Sequence, residues 1–199
     1  MGLLVRTMTV EDCDAVAAVR IGGWRWAYAG MMPGAYLDAM SVEENAARLR
    51  DRLTGAESTE STESTKGTES TQGTEAGAGT HRTAVNLVAE RDGTVVGWAC
   101  VGPRRNQDVP DTTGELYALY VRPEHISTGV GRALTEAFVE RATTDGFSRL
   151  VLWVLKENAR ARRFYEKAGF TPDGAQESLD VGGVRVPEVR YVRTLTPAG

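Results

Sequence analysis

The chain has 199 residues, a formal charge of −4 and 41% hydrophobic residues. That length suits one domain with a real core. No window of about eighteen apolar residues exists to cross a membrane, and the charge balance offers no basic field for nucleic acid. The N-terminus has neither a long apolar run nor a small-residue cleavage site. Arg6 also stands where a myristoylation signal needs Ser or Thr.

Residues 3–6 read as a short strand. Thr9 followed by Asp12 is a capping-box pattern opening a helix, with Cys13, Val16, Ala17 and Ile21 at helical spacing on one face. A break is expected at Gly22-Gly23, before the aromatic stretch 24–40. Ser41 with Glu44 is a second capping box, for a helix to about Leu53. Residues 55–80 form an insertion whose centre, 57–77, runs in triplets of the Glu-Ser-Thr kind. Its five glutamates and Lys66 account for the whole net charge. With no apolar side chain larger than alanine it cannot offset its ordering entropy, so we expect it to be disordered. Loop-closure entropy grows only logarithmically with length, so the domain tolerates such an insertion.

Residues 84–90 and 94–101 are apolar runs joined through Asp92-Gly93, a strong hairpin signal. A third strand, 114–121, stops at Arg122-Pro123. A glycine loop follows and opens into a helix with Leu134, Ala137, Phe138 and Ala142 inward. Residues 149–155 are apolar on both faces, as a central strand should be, and complete a parallel βαβ unit. A last helix, about 159–168, turns Ala161, Phe164, Tyr165 and Ala168 inward and ends at Gly169, a C′ glycine. Residues 177–181 and 184–195 make a closing hairpin around Gly182-Gly183, whose edges can pair two copies as a homodimer. The order predicts a single α/β domain with one mixed sheet. Cys13 and Cys100 fall on a helix and a strand without metal-ligand spacing, and His81 and His125 stand alone. We therefore expect reduced core cysteines, no metal site and a cytoplasmic protein.

The glycine loop carries the chemistry. Gly129 and Gly131 stand between an apolar strand and an amphipathic helix. A helix N-terminus there presents orphan N–H donors and a positive dipole end, which together cradle an anion, usually phosphate. It is not a P-loop, because Arg132-Ala133 stand where Lys-Ser or Lys-Thr is needed. It is not a dinucleotide fingerprint either, because position 134 is Leu rather than Gly.

The element order resembles the GNAT superfamily of acetyl-CoA-dependent N-acetyltransferases, and three pieces carry the resemblance. Leu119-Tyr-Val-Arg-Pro-Glu followed by Thr128-Gly-Val-Gly-Arg-Ala-Leu is similar to the family's pyrophosphate loop. Asn158-Ala-Arg-Ala-Arg-Arg-Phe-Tyr-Glu-Lys-Ala-Gly-Phe is similar to its second cofactor motif. Trp24 through Leu37 resembles the acceptor-side helices of a bacterial subgroup. The resemblance implies a fold whose fourth and fifth strands splay apart around acetyl-CoA as co-substrate, with no metal. It implies that the main chain at Leu119, Tyr120 and Val121 meets the pantetheine arm. The backbone of Ser127, Thr128, Gly129, Val130, Gly131 and Arg132 would hold the pyrophosphate, and Asn158 the pantetheine amide or a strand end. Tyr165 is implied as general acid to the leaving thiolate and Glu115 as base. Strand alternation would put Glu115, Tyr117 and Leu119 on one face if no bulge intervenes. Trp24, Tyr28 and Tyr36 would wall an acceptor pocket. One position departs from the pattern: Ile126 stands where the loop usually begins with Gln or Arg, so backbone amides must do most of the holding. The implied activity is acetyl transfer to a primary amine, of a small molecule first and of a protein N-terminus or lysine second, by direct attack in a ternary complex. A non-catalytic acyl-CoA-binding module is the rival reading.

Overall fold

The computed structural model describes residues 2–55 and 83–196. The expected disordered insertion lies, from residue 56 onward, outside the described residues. β1 (Leu3–Thr7) leads through a 3-10 turn at Val10–Asp12 into α1 (Cys13–Ala27). One carboxylate holds this corner. Asp12 Oδ2 accepts from the Thr9 N–H at 2.8 Å, and Arg6 donates to both Asp12 oxygens at 2.7 and 2.8 Å. Hydrogen bonding to Arg6 is the main reason the Asp12 pKa falls to about 2. A depressed carboxyl pKa contributes stability that is complete above the unfolded-state value of about 3.9 and is lost as pH falls toward the folded value. Asp12→Asn is therefore expected to lower stability by about 2 kcal/mol at neutral pH, the gap to the parent closing below about pH 4. Chemical denaturation at stepped pH checks this, and a pH-independent gap would contradict it.

The break expected at Gly22-Gly23 does not occur, because α1 continues to Ala27. A Cβ on Gly23 would lie 3.0 Å from the ring of Tyr120. The glycine is there to let α1 press on the sheet, and that packing outweighs its poor helix propensity. After α2 (Gly34–Asp38), the second cap is in place: Ser41 Oγ accepts from the Glu44 N–H at 3.2 Å to open α3 (Val42–Thr54).

The remaining strands are β2 (Val85–Arg91), β3 (Thr94–Pro103), β4 (Thr113–Val121), β5 (Arg149–Leu155), β6 (Thr171–Val181) and β7 (Val184–Thr194). Among the described residues they form one sheet in the order β1-β2-β3-β4-β5-β7-β6. β4 and β5 run parallel and the other pairs antiparallel. The β2–β3 turn has φ of 53° at Asp92 and 77° at Gly93, as a hairpin turn of the primed kind requires. β6 starts six residues before the expected position 177. Pro172, which has no N–H to give the ladder, and Gly174 at φ 91° sit in an irregularity that hides its first half.

α4 (Val130–Thr144) and α5 (Ala159–Lys167) cover one sheet face, where Leu134, Phe138, Leu152, Phe170 and Tyr191 are buried. α1 and α3 cover the other, over Val16, Leu49, Val88 and Trp98. Gly97 draws α4 onto β3, since a Cβ there would sit 2.8 Å from Val130 Cγ1.

Two irregularities in β4 shape the site. Its pairing with β3 jumps from Cys100↔Ala118 to Val101↔Leu116, leaving Tyr117 as an extra residue. Alternation breaks there. Tyr117 and Ala118 both pack toward α1, whereas Leu119 and Val121 pack toward α4. Leu119 therefore does not share a face with Tyr117, as unbroken alternation would require. In addition, β4 pairs with β5 only from Thr113↔Arg149 to Leu116↔Leu152, and beyond Leu116 the strands part.

Candidate active site

From Tyr117 onward the β5-facing edge of β4 is uncovered, and register decides which groups face the gap. The Arg122 N–H donates to the carbonyl of Val96 directly opposite, at 2.9 Å. Opposed residues in an antiparallel pair alternate between bonded and unbonded. Tyr120 is thus bonded to Trp98, while the main-chain groups of Leu119 and Val121 turn toward the gap. Of the three residues expected to offer main chain here, Tyr120 does not: its backbone belongs to the sheet and its side chain lines an aromatic pocket.

The gap leads to the glycine loop. Gly129 has φ 92° and is the N-cap of α4, and Ser127 is left-handed at φ 66°. The Ala133 N–H, bonded to the Gly129 carbonyl at 3.0 Å, is the first to close a helical bond. The N–H groups of Val130, Gly131 and Arg132 are left at the open end of the helix. Thr128 is spent within the loop, its N–H and hydroxyl both directed at the His125 carbonyl. A Cβ on Gly131 would point at Phe164, 3.3 Å away, and at Val121; that direction is the space between α4, α5 and β4.

Two arginines missed in the sequence flank this loop. Arg91 donates to Thr128 Oγ1 and to its carbonyl, both at 3.2 Å. Arg160 donates to Ser127 Oγ at 3.1 Å and lies 4.9 Å from the centre of the Trp26 ring. They bring charge to the end where Ile126 brings none. Arg160 was within reach of sequence reasoning, two residues after Asn158 in the second motif. Arg91 was not, because only the folded hairpin lays it against the loop. The Arg132 side chain points away, 82% exposed and paired with Glu136.

Asn158 caps α5, its Oδ1 accepting from the Ala161 N–H at 3.0 Å. Tyr165 stands edge-on to Phe164 and Phe170, with ring centres 5.2 and 6.0 Å apart. Its hydroxyl has no hydrogen-bond partner among the described residues. Burial, and then Tyr120, push its pKa up.

Beside the gap is a pocket open to solvent, walled by Trp24, Tyr28, Tyr120, Trp153 and Leu179. The Tyr28 and Tyr120 hydroxyls are 3.3 Å apart, and Trp24 meets Tyr28 edge-on at 5.1 Å. Tyr36 is not in the wall. It packs behind Trp24, ring centres 6.3 Å apart.

Glu115 is only 1% exposed. The Arg105 backbone N–H donates to Oε2 at 2.8 Å and Arg105 Nε to Oε1 at 2.9 Å, and a second guanidinium nitrogen reaches the same oxygen. Both oxygens are taken. The acid that reaches the pocket is Glu188, on β7. Sequence reasoning passed over it, although it falls two residues after the buried Val186, on the inward alternation of its strand. Cys13 and Cys100 are buried between α1 and the sheet. Among the described residues no group of three His, Cys, Asp or Glu side chains comes together to hold a metal, and no helix is long and apolar enough to cross a membrane.

The model of the Acetyltransferase (GNAT) family matches residues 50–170. The chain belongs to the GNAT family. YuaI, an uncharacterized N-acetyltransferase of Bacillus subtilis (strain 168), is 28% identical over 187 residues, which is 93% of this chain and 89% of YuaI. A mycothiol acetyltransferase of Beutenbergia cavernae is 49% identical over 65 residues, 32% of this chain and 22% of its own length. The PaiA N-acetyltransferase of Thermoplasma acidophilum, solved in complex with coenzyme A, aligns with a TM-score of 0.68 at 19% identity over 98% of this chain and 99% of that one, which shows a shared fold. This GNAT chain is an N-acetyltransferase with a seven-stranded mixed sheet opened between β4 and β5.

Proposed function

We propose that the chain transfers the acetyl group of acetyl-CoA to a primary amine of a small molecule, by direct attack with both substrates bound. The observation that carries this reading is the continuity of unpaired main chain, from Leu119 and Val121 at the gap to the N–H groups of Val130, Gly131 and Arg132 at the loop. An amide-bearing pantetheine arm suits the first part, as an added strand would, and a pyrophosphate suits the second. Ser127, Gly129, Arg91 and Arg160 complete the anion end, and among the described residues none accepts from the side-chain N–H groups of Asn158. Acetyl-CoA supplies a thioester. In our reading the Leu119 N–H donates to the thioester carbonyl oxygen. The Tyr165 hydroxyl donates to the leaving sulfur, and its raised pKa keeps the proton on oxygen until the sulfur demands it.

A small acceptor is favoured by the concave aromatic lining of the pocket beside the gap. Trp24 and Tyr28 form its wall and Tyr36 backs them. Glu115, fixed by Arg105, positions the 104–112 connection against β4 rather than accepting a proton. A covalent acetyl-cysteine route does not fit: Cys13 is fully buried and its thiol pKa is pushed up by that burial, the reverse of what a nucleophilic thiolate needs. The mycothiol acetyltransferase match covers too little of either chain to bring its acceptor here.

Calorimetry with acetyl-CoA, followed by free-thiol detection against a panel of amines, tests the proposal. Micromolar binding and amine-dependent release of coenzyme A are expected. Binding without turnover would make the chain an acyl-CoA sensor, and no binding at millimolar cofactor would overturn the site itself.

A further inference from the structure

Glu188 is 8% exposed, and among the described residues no side chain donates a hydrogen bond to its carboxylate or forms an ion pair with it. A carboxylate taken out of water without a partner is costly, so a partner that arrives from outside would relieve it. The groups facing it make that need sharper. Glu177 stands directly opposite on β6, and Glu115 on β4 adds a second like charge. Arg105 is the facing cation and is committed to Glu115. Tyr28 from the end of α1 and Tyr120 from β4 present hydroxyls, and Arg20 lines the pocket from α1.

We propose that Glu188 receives the acceptor: an ammonium group on an apolar or aromatic body docks against its carboxylate, which takes the proton that frees the nitrogen lone pair. This rests on the acetyl-transfer reading above. Trp24, Tyr28, Tyr120 and Trp153 suit such a body, since aromatic faces bury apolar surface and also attract a cation. Burial first and Glu177 second raise the Glu188 pKa to about 7, with Arg105 opposing, and a base near the working pH is the efficient one. The protons balance. One leaves the ammonium for Glu188 and passes to water at the pocket mouth. As the nitrogen–carbon bond forms and the carbon–sulfur bond breaks, a second nitrogen proton ends on the departing sulfur, through Tyr165.

The test compares the parent with Glu188→Gln on phenethylamine, tyramine, spermidine and glycine, following coenzyme A release from pH 6 to 9. Parent kcat/KM is expected to be highest for phenethylamine and tyramine and to level off above about pH 7. In the variant it should fall about a hundredfold at pH 7 and rise tenfold per pH unit toward the amine's own pKa. Calorimetry without acetyl-CoA should show phenethylamine binding at least tenfold weaker in the variant, with acetyl-CoA affinity unchanged and Tm unchanged or raised, since a buried like charge is removed. If Glu188→Gln does not fold, Glu188→Asp is expected to keep the pH limb with reduced turnover, and loss of the limb there counts against the proposal. A variant with parental kcat/KM and pH profile would overturn it, as would a preference for glycine. A parent that binds acetyl-CoA yet acetylates no amine would overturn the functional reading and this inference together, a result distinct from parental turnover unaffected by the variant.

Discussion

Gly131→Val is expected to weaken acetyl-CoA binding by at least about a hundredfold while the protein stays folded. The proposed cradle requires phosphate oxygens to approach the N–H groups of Val130, Gly131 and Arg132 closely. A side chain at residue 131 grows toward Phe164 and Val121, into the space this approach uses. Losing one or two charge-assisted hydrogen bonds costs roughly 1.5–3 kcal/mol each, and 1.4 kcal/mol is about tenfold in affinity. Gly131→Ala separates crowding from blockage: its single carbon sits 3.3 Å from a half-buried ring that can yield, so a loss under about tenfold is expected. Calorimetry on both variants, with thermal melting beside it, measures the difference. An unchanged Kd in Gly131→Val would place the pyrophosphate elsewhere.

What was legible in the sequence is what depends on neighbours in the chain. Asp92-Gly93 specifies its turn because both residues must take positive φ. The loop from Ser127 to Arg132 and the Asn158–Tyr165 spacing are local patterns as well, and each has its expected place in strand, loop or helix. What escaped depends on residues distant in sequence. Gly22-Gly23 looks like a stop until Tyr120 is seen against Gly23. The extra residue at Tyr117 leaves no mark on β4, because a bulge is a property of two strands; yet it alone turns Leu119 from the face of Tyr117 to the opposite one. Glu115 was expected as a base at a strand start, and only Arg105, brought over by the β3–β4 connection, shows that both its oxygens already accept hydrogen bonds. Glu188 was the converse case, an acid on a closing hairpin that reaches the pocket because β7 lies beside β5. Such partners are set by sheet order, which periodicity does not encode.

Tyr165→Phe provides the sharpest separation of chemistry from packing. A buried tyrosine whose hydroxyl is bonded loses stability on conversion to phenylalanine, because the partner is left unsatisfied. Here no described residue partners the hydroxyl, and the ring contacts with Phe164 and Phe170 survive the change. Tm is therefore expected to stay the same or rise slightly. If the hydroxyl donates to the leaving sulfur, kcat should fall about a hundredfold, within the range for a positioned proton donor, with acetyl-CoA affinity held. An interaction made only as the bond breaks lowers kcat and kcat/KM together and leaves ground-state binding alone. Steady-state kinetics with a saturating amine, and calorimetry for the cofactor, would read both. A stable variant with full kcat removes Tyr165 from the chemistry and leaves it a core residue. A drop in kcat without loss of Tm or Kd cannot be explained by packing and assigns the proton to this hydroxyl.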